Sequence, residues 1–223
     1  MSVIKRIFSV GILMIAAHSG IATMPAHDFS GKTVMQLIDL LKSEDPGIRT
    51  DAIIFLGFRY RRPGPVINPP TYNTQVPEVP MPIRVVPSLV ERLKSDTNTT
   101  VRIACVDALC ELKFRTNTTQ VLAAGLDDTD AFVRIRACSA LISISQDYSE
   151  PLIEKVITTL SQTLRPDGDI ESTWYAAWIA GQLGSAGKPL IPALERTAKH
   201  KSSKVRHYAN EALSKIRTKG KAN

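Results

Sequence analysis

The sequence predicts an all-α fold, an α-solenoid of antiparallel helix pairs about five repeats long, on two observations. The first is a recurring pattern. In LDDTDAFVRIRACSALISI, Leu126 to Ile144, an acidic turn precedes Val133-Arg134, then Ala137, Ala140 and Leu141 follow. The same order stands at Asp96, Val101-Arg102, Cys105, Ala108 and Leu109, and again, without the acidic residue, at Val205-Arg206, Ala209, Ala212 and Leu213. A variant stands at Asp45, Ile48-Arg49, Ala52, Phe55 and Leu56; a degenerate copy keeps Ser172-Thr173, Ala176, Ile179 and Ala180, followed by Gly181 and Gly184.

The second observation is the spacing. Val101 to Val133 is 32 residues, Val133 to Ser172 is 39 and Ser172 to Val205 is 33. Such periods belong to stacked helix pairs. Within each copy the apolar or small residues fall on one helical face, and Ala or Cys at the fourth position lets helices approach closely. Four copies follow the Val or Ile with Arg (Arg49, Arg102, Arg134, Arg206). These are read as structural residues of the motif, directed toward the helix flank. Acidic residues three to five positions before the Val suit a helix N-terminus, as caps or through the dipole. Asp45-Pro46 is the clearest start, a cap followed by proline at the first helical position.

The elements follow in order. Thr33 to Lys42 forms a first helix with Val34, Leu37, Ile38 and Leu41 on one face, and Ile48 to about Arg59 its partner. Residues 61–87, RRPGPVINPPTYNTQVPEVPMPIRVVP, then hold eight of the 14 prolines. Proline lacks a backbone N–H and disfavours helix in the residue before it, so helix cannot run through before Pro82. This Pro-rich insertion accounts for the 53 residues between Ile48 and Val101. It is a surface loop hugging its own solenoid or an extended segment laid on a partner. Helices are then expected at Val86–Leu93, Val101–Lys113, Thr119–Leu126, Phe132–Ser145, Pro151–Thr163 and Trp174–Leu183. Pro189 opens the last pair, whose final helix ends near Ile216, and a short basic tail (218–223) should fray.

This pattern resembles the HEAT repeat, in particular the short PBS-lyase HEAT-like form, over roughly residues 31–217. The resemblance implies the stacked-pair architecture across 27–217. It implies no single activity, because similar chains serve as scaffolds, chromophore lyases, and a few metal or nucleic-acid enzymes.

Residues 1–26 stand apart. Lys5 and Arg6 precede an apolar run from Ile7 to Ala17, small residues follow, and no acidic residue occurs before Asp28. This is the layout of a secretory signal peptide, with cleavage expected after Ala22 and Ser19 or Ala26 as alternatives. The run is short for a membrane span of about 20 residues, and no later apolar run is long enough, so the mature chain is expected to lack a transmembrane span. An exported, periplasmic or secreted protein follows. The roughly 200 residues that remain suffice for a sizeable core.

Charge is uneven. The chain is formally +7, yet Lys199 to the end alone carries +7, from eight basic residues and Glu211. Lys199, Lys201, Lys204 and Arg206 thus form a basic cap, either a solvated last repeat or a contact for an anionic surface. No arginine ladder with interleaved aromatics accompanies it, which argues against a nucleic-acid partner.

Catalytic and metal motifs are thin. No histidine of the four is followed by Glu, as HEAT-type hydroxylases require to hold iron, and no Cys-x-x-Cys occurs. Asp127-Asp128-x-Asp130 lacks the later Gly and Glu of a calcium loop and reads as turn and cap. No catalytic residue, metal or cofactor is assigned. Cys105, Cys110 and Cys138 read as buried thiols, with a Cys105–Cys138 disulfide the alternative.

The most informative constellation is Trp174, Tyr175 and Trp178. The positions matching Trp178 hold Asp107, Ser139 and Glu211, which turns that face toward solvent as a partner-binding surface. The alternative packs both tryptophans beneath Asp167-Gly168. The expected function is a non-catalytic scaffold for protein–protein interaction, ahead of a bilin-lyase-like enzyme or a nucleic-acid-binding solenoid.

Overall fold

Small side chains set the packing distance between helices. A Cβ placed on Gly57 would stand 3.2 Å from the Cα of Ala108, and one on Gly181 would stand 3.2 Å from the Cα of Ala212. Both glycines are nine positions after the Ile or Ser that opens their copy, and both alanines are seven after the Val of the next. The same close contact therefore recurs between successive copies.

The computed structural model describes residues 26–29, 31–60, 84–112, 118–144 and 149–219. The expected signal peptide, most of the Pro-rich insertion and the last residues of the basic tail lie outside them. Among the described residues every regular element is helical and no strand occurs. The chain divides into two units, one up to Val121 and one from Leu122.

In the first unit, α1 (Val34–Leu40) packs on α2 (Pro46–Tyr60), α3 (Val85–Ser95) packs on α4 (Thr99–Glu111), and α2 lies along α4. Thr33 caps α1 in a reciprocal box with Gln36, whose side chain accepts from Thr33 N–H at 2.8 Å. Asp45 accepts from Gly47 N–H at 2.7 Å at the start of α2. Asn98, not the acidic Asp96, caps α4, accepting from Thr100 and Val101 N–H. Asp96 is otherwise engaged.

In the second unit, α5 (Thr118–Leu122) leads in from the boundary and gives way to a 3-10 helix, Ala123–Asp127, on which α6 (Ala131–Ile144) packs. Next, α7 (Glu150–Thr163) pairs with α8 (Ile170–Gln182). A second 3-10 helix (Gly184–Leu190) leads into α9 (Ile191–Thr197), which pairs with α10 (Ser203–Lys219). The second helices α6, α8 and α10 lie side by side. Asp130 caps α6 through Phe132 and Val133 N–H, and Asp169 caps α8 through Ser172 N–H. Helix α8 therefore begins four residues before Trp174. Helix α10 outruns its expected end near Ile216. Arg217 is anchored by Glu195 at 2.6 Å, and Thr218 Oγ1 donates back to Ser214 O.

The motif residues form the seams. Ala52, Cys105, Ala137, Ala176 and Ala209 are all 0% exposed, so a recurring small residue sits wherever second helices meet. Leu56, Leu109, Leu141 and Leu213, eight after the opening residue, are buried with them. Each buried aliphatic side chain contributes roughly 1.5–3 kcal/mol, spread along the stack and not gathered in one central core.

Candidate functional site

The repeat arginines do not lie out on the flank. Each folds back over the turn that precedes its helix. Arg49 Nη1 donates to the carbonyls of Ser43 and Glu44 at 2.7 and 2.9 Å, and Arg134 Nη1 to those of Asp128 and Thr129 at 2.7 and 3.0 Å. Arg102 reaches Asp96 O and Thr97 O, and Arg206 reaches His200 O and Lys201 O. All four span the same interval, six and five residues back. The guanidinium fork suits this, offering several donors in one plane. Its role is to fix the turn backbone.

Arg49 has a second partner. Its Nε and Nη2 meet Asp96 Oδ2 and Oδ1, both at 2.8 Å, and both residues are buried. Asp96 also accepts from Asn98 N–H at 3.0 Å. Burial acts to raise the Asp96 carboxyl, but the hydrogen bonds from Arg49 and Asn98 and the charges of Arg49 and Arg92 leave it below its ordinary value. The hydrogen bond to Asp96 raises the Arg49 guanidinium.

Thr173 stands where the other copies carry arginine. The carbonyl of Gly168, five residues back, is met instead by His200 Nε2 at 3.0 Å. His200 Nδ1 accepts from Ser202 N–H at 2.9 Å, so Nε2 carries the proton and donates to Gly168. A histidine that the sequence places in the basic cap is in fact 1% exposed and ties two turns together. Thr173 Oγ1 is buried without a hydrogen bond.

The aromatic trio divides. Trp174 is 7% exposed and Tyr175 1%, while Trp178 is half-buried. The Trp174 ring lies 5.0 Å from Tyr208, under Lys204 Nζ at 4.1 Å, and its indole N–H donates to Glu171 at 2.7 Å. Tyr208 and Lys204, both of α10, cover it. Tyr175 sits 5.9 Å from Phe132 and 5.9 Å from Trp178, and its hydroxyl accepts from Arg136 Nη1 at 3.3 Å. Solvent-facing exposure thus holds only in part for Trp178 and not for its two neighbours. The sequence carries a divided signal for Trp174: the matching positions in the two preceding copies are the buried Ile103 and Ile135, whereas Thr50 and His207 in the first and last copies are not buried.

In the basic cap, Lys199, Lys201 and Arg206 are exposed, whereas Lys204 is half-buried between Trp174 and Glu171, with an ion pair of 3.1 Å. In the first unit, the residues next to the expected signal pack on α2. His27 N–H and Nδ1 meet Asp51 Oδ2 at 3.0 and 2.7 Å, and Phe29, buried, lies 5.7 Å from Phe55.

No disulfide joins Cys105 to Cys138; both are buried, whereas Cys110 is half-buried and not the buried thiol expected. Burial pushes the Cys105 thiol up, and the Cys138 thiol up to about 12, so neither is a thiolate nucleophile at neutral pH. The acidic turn acts as turn and cap: Asp128 accepts from Asp130 N–H, and Asp127 pairs with Lys155 at 2.6 Å. Among the described residues no group of three or more His, Cys, Asp or Glu side chains could hold a metal, and no helix is long and apolar enough to cross a membrane.

Residues 86–157 match the HEAT repeats family. No curated protein sequence matches the chain. Among solved structures, the complex of CpcE and CpcF of phycocyanin lyase from Nostoc sp. PCC7120 contains a similar chain. It is 18% identical with a TM-score of 0.56, covering 87% of this chain and 68% of that one. Two engineered proteins are similar at 20% identity, with TM-scores of 0.54 and 0.52. Each match covers 92% of this chain, and 86% and 85% of theirs. At these identities the likeness is one of fold.

Proposed function

Because this is a HEAT-repeat protein, we propose that it serves as an exported, non-catalytic scaffold that binds a protein partner. The observation that carries this reading is the row formed by α6, α8 and α10, on which the half-buried Trp178 and Arg136 each lie against Tyr175. Tryptophan and arginine are the side chains most often found at binding hot spots. Here Tyr175 beneath them holds both in place, so little rotamer freedom is lost on docking. The similar cyanobacterial chain is itself found in a two-protein complex. Export is supported by Lys5, Arg6, the apolar Ile7–Ala17 and the small residues at Gly20 and Ala22.

The test is a comparison of tagged wild-type protein with Trp178→Ala, each isolated from its native compartment with what it carries. A partner recovered with wild type and depleted at least tenfold with the variant supports the scaffold reading. Equal recovery overturns the Trp178 face. Intact mass supplies the second arm: a chain beginning near Thr23 supports export, and retention of Met1 in a soluble cytoplasmic protein opposes it. A phycocyanin-lyase-like activity is the second reading, supported by likeness of fold alone; Met1 retention would raise its standing.

A further inference from the structure

We propose that the turn between α9 and α10 is a docking tip for an anionic phospholipid surface. Four cations, Arg196, Lys199, Lys201 and Arg206, stand exposed on this turn or at the helix ends beside it. The other cations of α10 with acidic neighbours are occupied: Lys204 by Glu171, Lys215 by Glu211 and Arg217 by Glu195. The turn itself, 198–202, contains no acidic residue. The adjoining turn carries Asp167 and Asp169 with Arg165, which offsets only part of the charge.

Hydrogen bonds hold the turn from both sides. His200 points inward, bonded to Gly168 O and Ser202 N–H, and Arg206 Nη1 holds the carbonyls of His200 and Lys201 at 2.9 and 2.7 Å. Fixing the middle residue inward leaves both flanking lysines outward. The N-terminus of α10, a helix of 17 residues, opens directly after the turn and adds positive potential there.

The chemistry of the tip selects among anionic partners. Lysine is depleted in protein interfaces, whose binding energy rests on buried aromatic or arginine anchors. None of the exposed large apolar side chains among the described residues lies on this hairpin. Nucleic-acid binders stack bases on aromatics or read base edges from a groove; here Trp174 is buried beneath Lys204. A lipid surface asks only for clustered positive charge within a Debye length. The contact is therefore peripheral, electrostatic and reversed by salt. It is separate from the Trp178 face, and Trp178→Ala should leave it intact.

Vesicle co-sedimentation tests it, using the chain from Thr23, which holds every described residue. Phosphatidylcholine vesicles containing about one third phosphatidylglycerol supply a surface of the required charge, and pure phosphatidylcholine is the control. Binding to the anionic vesicles at low salt, released at high salt, is expected. At about 1 kcal/mol per basic residue near the surface, Lys199→Gln/Lys201→Gln should weaken partition about 30-fold with an unchanged melting midpoint. The charge-matched Lys42→Gln/Lys94→Gln, in the first unit, should not. Wild type that stays in solution overturns the proposal. So does equal partition of wild type and the Lys199/Lys201 variant, or tighter binding to duplex DNA lost in that variant.

Discussion

Arg49 grips Asp96 through two parallel hydrogen bonds of 2.8 Å, joining the helix pair α1–α2 to α3–α4 where both side chains are buried. The same guanidinium holds the turn before α2, so one side chain serves a local and a long-range purpose. Removing the carboxylate leaves a buried cation uncompensated, which typically costs about 3–5 kcal/mol. Asp96→Ala should lower stability by that amount in denaturant titration. A midpoint within error of wild type would mean that the pair contributes nothing net.

The same pair sets an acid dependence. Asp96 titrates below its ordinary value in the folded chain, as does Asp169, chiefly through the backbone N–H of Ser172. A carboxylate depressed by folding contributes stability that is fully present above its unfolded value, about 3.9. That contribution is lost as pH falls through the lower native value. The stability gap between wild type and Asp96→Asn should therefore be widest at neutral pH and narrow in acid. A gap that widens below pH ~4 would contradict this sign.

Ala137 is 0% exposed on α6. Ala137→Asp would place an unpaired carboxylate in a packed seam, costing several kcal/mol (roughly 3–5). Thermal melting reads the effect directly, and an unchanged curve would show that the second unit accommodates charge at this position.

The two tryptophans should behave differently. Trp174→Ala removes a buried ring with a charged hydrogen-bond partner, for a loss of about 3–5 kcal/mol. Trp178→Ala, half-buried, should cost less than half of that while abolishing partner recovery. Quenching of the single-tryptophan variants reports the same split: Trp178 accessible to iodide, Trp174 protected. Equal protection of both would remove the binding role from Trp178.

Gly168 is required by what stands in the arginine position. A Cβ there would collide with Thr173 Oγ1 and lie 3.3 Å from the Arg165 carbonyl. Gly168→Ala should destabilise by roughly 1–3 kcal/mol through overpacking. Adding Thr173→Ala should recover part of that, a non-additivity expected of neighbours in contact. Strict additivity in a double-mutant cycle would place the strain elsewhere.

The helices, their small-residue seams and the acidic caps of α2, α6 and α8 are legible in the residues alone. These depend on contacts within a turn or two: Asp130 on Val133, Asp169 on Ser172. Recurrence in register then carried the stacking, because the same small residue returns wherever second helices meet. Three things the sequence did not determine. Arg49, Arg102, Arg134 and Arg206 turned inward to carbonyls, since a long flexible side chain has no periodicity that shows where its end lies. Asp96 left its cap position to Asn98, because a buried guanidinium from another repeat stabilises a carboxylate more than a helix end does. Trp174 was covered by Tyr208 and Lys204, and His200 drawn under Gly168, because burial at the edge of a helix face depends on which side chains the next helix presents. Local order is written in neighbouring residues; the environment of a long side chain is decided only when distant helices pack.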